Sequence, residues 1–70
     1  MPNFSPELIA VMRAALDDVM SHVPVEQVTP AIKVRLAEFI LRAAGDGHTS
    51  YDVLFVAAFS QIRTVLVMVA

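Results

Sequence analysis

The chain of 70 residues contains no cysteine. Disulfide staples and thiolate-held metals are therefore excluded, and nothing follows about redox compartment. Its two histidines are too few to suggest a structural zinc without cysteine partners. Charge is also sparse, with Lys and Arg numbering 5 against 7 for Asp and Glu, a net charge of −2. Nucleic-acid binders present a basic face, and segments that dwell on anionic membranes present a basic cluster. Neither partner is expected here. The N-terminus lacks a basic stretch followed by an apolar core, so no secretory signal is read and a cytoplasmic location is expected. No strand pattern, internal repeat, low-complexity segment or interdomain linker interrupts the chain, and residues 1–70 read as a single helical domain.

Apolar side chains are abundant, at 57% of residues. A chain this short buries only about 60% of the surface it exposes when unfolded, so its core alone supplies roughly 3–5 kcal/mol. Small domains usually add a disulfide, a metal or a partner chain. With the first two disfavoured, the surplus of apolar residues predicts burial against a second copy or another protein.

The most informative stretch is Thr29–Ala44. Thr29 is a helix cap, and Pro30 suits the first helical position, where its missing N–H costs nothing. Ile32, Leu36, Phe39, Ile40 and Ala43 recur at three- and four-residue steps and define one apolar stripe. Val34, Ala37, Leu41 and Ala44 define a second, separated from it only by Lys33. The segment is thus read as a central helix with a neighbour on each apolar side.

Two further helices flank it. Ser5-Pro6-Glu7 repeats the cap-then-proline start, and a helix over about residues 6–22 carries Leu8, Met12, Ala15, Val19 and Val23 as its core stripe, with Ile9, Leu16 and Met20 beside it. Phe4 is placed to staple onto Leu8 or Ile9. Pro24 ends that helix, and the connector is expected to tuck Val25 and Val28 under the other helices. After Gly45-Asp46-Gly47, where either glycine can close a helix, Thr49 with Asp52 predicts the start of a third helix over about residues 50–69. Its seam is Tyr51, Phe55, Ala58, Ile62, Val65 and Val69, widened by Leu54, Phe59 and Leu66. Three helices with short links predict an all-α, up-down-up antiparallel bundle.

The sequence offers little chemistry. Asp17 and Asp18 are adjacent on a helix and diverge by about 100°, so they cannot face one substrate together; an Arg13–Asp17 pair is the expected use of one of them. His22 falls at a helix end and His48 in the glycine loop, with Asp46 its one acidic neighbour. The loop before the third helix has no Walker lysine or preceding strand to make it a phosphate cradle. The third helix holds one basic residue, Arg63, which argues against a DNA-reading helix. The apolar run from Tyr51 to Ala70 is long enough to raise a membrane span, but Arg63 at its interior would cost at least about 2.5 kcal/mol. No catalytic residue, cofactor or metal is assigned, and an enzyme is not expected.

Two resemblances are visible. Thr29-Pro30, Ile32-Lys33, Arg35-Leu36-Ala37-Glu38, Ile40-Leu41, Ala43-Ala44 and Gly47, followed by an apolar helix, are similar to a pattern in short uncharacterised bacterial all-helical proteins, over about residues 29–60. That resemblance implies a small cytoplasmic helical protein and transfers no activity. Gly47-His48-Thr49-Ser50 resembles the Gly-Gly-His-Ser stretch of peptidyl carrier proteins, with Ser50 at the phosphopantetheine position and Thr49 as an extra residue that breaks the spacing.

The expected function is a protein–protein interaction module, acting as a homodimer or as an accessory or regulatory subunit. Val34, Ala37, Leu41 and Ala44 on the second helix, with Val53, Val56, Val67 and Met68 on the third, are the expected interface. The alternative is a carrier-type or small apolar-ligand-binding helical bundle.

Overall fold

Three hydroxyl caps set the helix starts in the computed structural model, which describes residues 4–69, with side chains to residue 67. The Ser5 hydroxyl accepts the Leu8 N–H at 3.1 Å and opens α1, Pro6–Met20. Thr29 accepts the Ile32 N–H at 3.2 Å and opens α2, Pro30–Gly45. Ser50 accepts the Val53 N–H at 3.3 Å and opens α3, Tyr51–Phe59. Each cap satisfies a backbone donor that the helix itself leaves free, typically worth about 1 kcal/mol. The third differs from the sequence reading: Thr49 and Asp52 form no capping box. Thr49 and Ser50 offer the same hydroxyl chemistry, and the backbone enters helical geometry after the second of them.

The stop between α2 and α3 is built from backbone. Gly47 adopts φ 103°, its N–H bonds the Ala44 carbonyl at 3.1 Å, and the His48 N–H bonds the Ala43 carbonyl at 3.1 Å. This is a Schellman closure, in which a left-handed residue just past the helix turns the next two donors back onto free carbonyls. Of the two glycines offered by the sequence, Gly47 carries the left-handed turn, while Gly45 stays helical.

The expected third helix is broken. It ends at Phe59, and α4 runs Ile62–Val69. At the break the Gln61 N–H bonds the Ala58 carbonyl, three residues back, before Val65 resumes a four-residue step onto Gln61. That tighter turn redirects the chain, so that α3 packs on α1 and α2 while α4 packs on α2. Among the described residues, α1, α3 and α4 each pack on α2, which supports its reading as the central helix.

The core follows the predicted stripes on α1 and along Ile32, Leu36 and Ile40 of α2, and departs from them on α3, where Leu54 is fully buried while Tyr51 and Phe55 of the expected seam are half-buried and Phe59 is exposed. Met12, Ala15 and Val19 of α1, Val23 just after it, Ile32, Leu36, Ile40 and Ala44 of α2, Leu54 and Ala58 of α3, and Val65 of α4 form one buried cluster. Phe4, Leu8, Phe39, Ala43, Tyr51, Phe55 and Ile62 are half-buried around it. No polar side chain is buried among the described residues, so packing is apolar throughout. The connector departs from expectation: Val25–Gln27 is a short 3₁₀ turn, and Val25 is 86% exposed, with Val28 exposed as well. After α1, the cluster takes its next apolar anchor from Val23, and the 3₁₀ turn carries Val25 into solvent. The expected Arg13–Asp17 pair is absent; the one ion pair among the described residues is Arg35–Glu38 at 3.6 Å, half in solvent.

Candidate interaction surfaces

The second stripe of α2 is divided. Ala44 is 6% exposed and belongs to the core cluster, so it is withdrawn from the interface. It lies at the loop end of α2, on the buried side with Ile40, where a small side chain suits close packing. Val34 and Leu41 are exposed, and Ala37 is half-buried. The stripe therefore has no covering helix over most of its length. Val53, Val56 and Val67 are also exposed, and the side chain of Met68 lies outside the described residues.

These residues do not form one surface. Ala37 and Leu41 line an apolar groove between α1 and α2, about 200 Å³ in volume, together with Ile9, Leu16 and Arg13. Val53 and Val56 line a different groove between α2 and α3, about 580 Å³, with Phe39 and Ala43 on its floor and Arg42 and Asp52 among its polar members. Val67 borders a third, about 760 Å³, with His22, Phe59, Arg63 and Leu66. The first two grooves lie on opposite flanks of α2. Ala37 and Leu41 are on one side of its buried Leu36–Ile40 line and Phe39 and Ala43 on the other, as the 100° step per residue requires.

Ile9 and Leu16 were expected beside the core of α1, and the structure makes them the far wall of the first groove. Their seven-residue spacing, equal to that of Val34 and Leu41, was the available signal.

Polar and aromatic groups form a separate cluster where α1 meets α3. Tyr51, Phe55 and Phe59 occur at four-residue steps, with neighbouring rings stacked at 6.0 and 5.1 Å. His22 meets Phe55 and Phe59 edge-on, with centroids at 5.9 and 5.1 Å. Such contacts stabilise through ring electrostatics beyond area burial, by about 0.5–1.5 kcal/mol a pair. The Tyr51 hydroxyl donates to an Asp18 carboxylate oxygen. That hydrogen bond, followed by burial and the negative charges of Asp18 and Asp52, raises the phenol above its ordinary value of 10.0. Asp18 thus ties α1 to α3, while its neighbour Asp17 is exposed on another side.

The Ser50 hydroxyl is engaged as a helix cap, and His22 packs on aromatic rings. Among the described residues, no three His, Asp or Glu side chains cluster as metal ligands would, and no helix is long and apolar enough to cross a membrane. What the surface does present is apolar: two grooves flanking one central helix, with scattered charges at their edges. Comparison of the chain with protein families, curated proteins and solved structures finds no match.

Proposed function

We propose that this chain is a protein–protein interaction module, an up-down-up antiparallel helical bundle that works by burying helix faces against a second copy of itself or against a larger protein it serves as an accessory subunit. The observation that carries the reading is the set of large apolar side chains exposed on the helices, Ile9, Val34, Leu41, Val53, Val56, Phe59 and Val67, to which the connector adds Val25 and Val28. Singly scattered apolar side chains are ordinary on a protein surface, so the weight of the reading falls on those that are grouped. Ile9 and Leu41 share one groove, Val53 and Val56 a second, and Phe59 and Val67 a third, and this grouping supports association because a partner's side chains can interdigitate there. No step of the proposed mechanism is covalent; partner binding removes apolar area from water.

Sedimentation equilibrium across the micromolar range tests the homodimer form. A mass above that of one chain, rising with concentration, is expected. A single-chain mass up to hundreds of micromolar would overturn it.

The α2–α3 groove supports a second reading, a site for a small apolar ligand, since its volume of about 580 Å³ falls in the roughly 300–1,000 Å³ range of ligand pockets. Native mass spectrometry separates the two, by added ligand mass in one case and doubled chain mass in the other.

A further inference from the structure

The groove bordering α4 combines an unopposed cation with room for a ligand, and neither groove beside α2 does both. From residue 53 to residue 70, Arg63 is the one charged side chain. Its neighbours at three and four residues are Phe59, Ser60, Leu66 and Val67, none of them acidic. All four line the same groove as Arg63, a space of about 760 Å³ where the 3₁₀ turn, the end of α3 and α4 meet.

The groove is two-natured. Phe59, Ile62, Leu66 and Val67 make its apolar wall, and Val67 is 74% exposed for want of a cover. His22, Gln27, Ser60 and Arg63 are its polar members. Each of these four side chains can donate a hydrogen bond, and Arg63 keeps its positive charge at any ordinary pH. Among the described residues no carboxylate lines the groove, although Asp and Glu outnumber Lys and Arg by 7 to 5 in the chain. Glu26, next to Gln27 in the 3₁₀ turn, stays outside the lining. Arg63 has no ion-pair partner among the described residues. The grooves beside α2 differ. Arg42 shares the α2–α3 groove with Asp46 and Asp52. Arg13 has Asp17 one turn along its own helix, and its groove of about 200 Å³ is below the roughly 300–1,000 Å³ of ligand pockets.

We infer that the α4 groove binds an amphiphile with one aliphatic chain and a carboxylate head, the chain lying along Phe59, Ile62, Leu66 and Val67 and the head on Arg63. The guanidinium presents paired N–H donors that match the two oxygens of a carboxylate. One fixed positive charge balances one negative charge, which favours a carboxylate over a phosphate dianion. Gln27 and Ser60 add neutral donors for the remaining oxygen lone pairs. The aliphatic chain removes Phe59 and Val67 from water, and the apolar wall strengthens the charge pair beside it by excluding solvent. The site goes beyond the interaction-module reading and does not depend on it.

The test is a titration of the isotope-labelled full chain with sodium decanoate, kept below its micelle threshold and followed by amide NMR shifts. Saturable shifts centred on Phe59 to Val67 and on His22 to Gln27 are expected. Decyltrimethylammonium, with the same chain length and the opposite charge, should bind the parent at least about fivefold more weakly. Arg63→Gln should weaken decanoate binding by about fivefold and erase the preference between the two amphiphiles, while Arg63→Lys, which keeps the charge without the planar fork, should fall between. Arg63 is exposed, and far-UV circular dichroism checks that both variants fold. Equal affinity of the parent for the two amphiphiles would overturn the inference, as would the absence of saturable shifts. Shifts centred on Phe39 to Val56 would move the ligand to the α2–α3 groove and overturn it too. Groove shifts that follow protein concentration in place of decanoate would give the groove to a second copy, again against the inference. Failure of decanoate binding leaves the interaction-module reading standing, since sedimentation equilibrium tests that separately.

Discussion

Leu36 and Leu41 lie on the same helix five residues apart, and their substitution should give sharply different results. Leu36 is 0% exposed at the centre of the core cluster. Replacing it with alanine removes buried methyl groups and leaves a cavity, a change that costs about 2–5 kcal/mol. Folding of a 70-residue chain is worth about 0.05–0.15 kcal/mol per residue, or roughly 3.5–10 kcal/mol. Leu36→Ala should therefore consume at least about a fifth of the total, and about half at mid-range values, leaving a much less stable chain. Leu41 is 47% exposed. Full burial of a leucine is worth about 1.5–3 kcal/mol, so Leu41→Glu forfeits about half of that, ~1 kcal/mol, within a single chain. For a domain of this size that lowers Tm by about 4–8 °C. Thermal melts followed by far-UV circular dichroism measure both. If the parent chain is a dimer, its Tm rises with protein concentration and that of Leu41→Glu does not, since the variant folds without the partner. Unfolding by Leu41→Glu as severe as that by Leu36→Ala would refute the reasoning, because it would make the second stripe part of the core.

Other substitutions probe the local devices. Gly47 sits at φ 103°, so Gly47→Ala should destabilise by about 1 kcal/mol or more through backbone strain alone, there being open space around its Cα; Gly45→Ala, at a helical φ with equal space, should be neutral or stabilising, and chemical denaturation reads both. Ser50→Ala should cost about 1 kcal/mol by the same measurement and Thr49→Ala a few tenths at most, because the structure assigns the cap to Ser50 alone. The chain has one tyrosine and no tryptophan, so ultraviolet titration of Tyr51 is unobscured. Its ionisation should fall above 10.0 and move down toward that value in Asp18→Ala. Because the folded-state pKa is the raised one, the contribution of this hydrogen bond is complete below about pH 10 and is lost as pH climbs through the raised value. An unshifted ionisation in the parent would place the Tyr51 hydroxyl away from Asp18.

Much of the architecture was legible in the residues themselves. Ser5-Pro6 and Thr29-Pro30 announce helix starts because a hydroxyl acceptor followed by a residue without an N–H solves the problem of unpaired donors locally. The three- and four-residue recurrence of Met12, Ala15 and Val19, and of Ile32, Leu36 and Ile40, identifies core faces because those helices are apolar on a limited arc. The same logic fails on α3. Val53, Leu54, Phe55, Val56, Ala57, Ala58 and Phe59 surround the helix with apolar groups, so no period distinguishes the buried Leu54 and Ala58 from the exposed Val53, Val56 and Phe59. The break at Ser60 and Gln61 was likewise invisible, since neither residue forbids a helix; the turn there is what lets α4 pack on α2 while α3 packs on both α1 and α2.

The interface shows the division most clearly. Composition alone established that apolar residues are in surplus and that no disulfide offsets a small core, because these follow from counting. Which apolar residues remain in solvent was decided by tertiary packing. Ala44 went into the core, Leu41 and Val53 went to opposite flanks of α2, and Ile9 joined Leu41 across a groove that no sequence separation discloses. Helical periodicity assigns a residue to a face of its own helix. Only the placement of the neighbouring helices determines whether that face is covered.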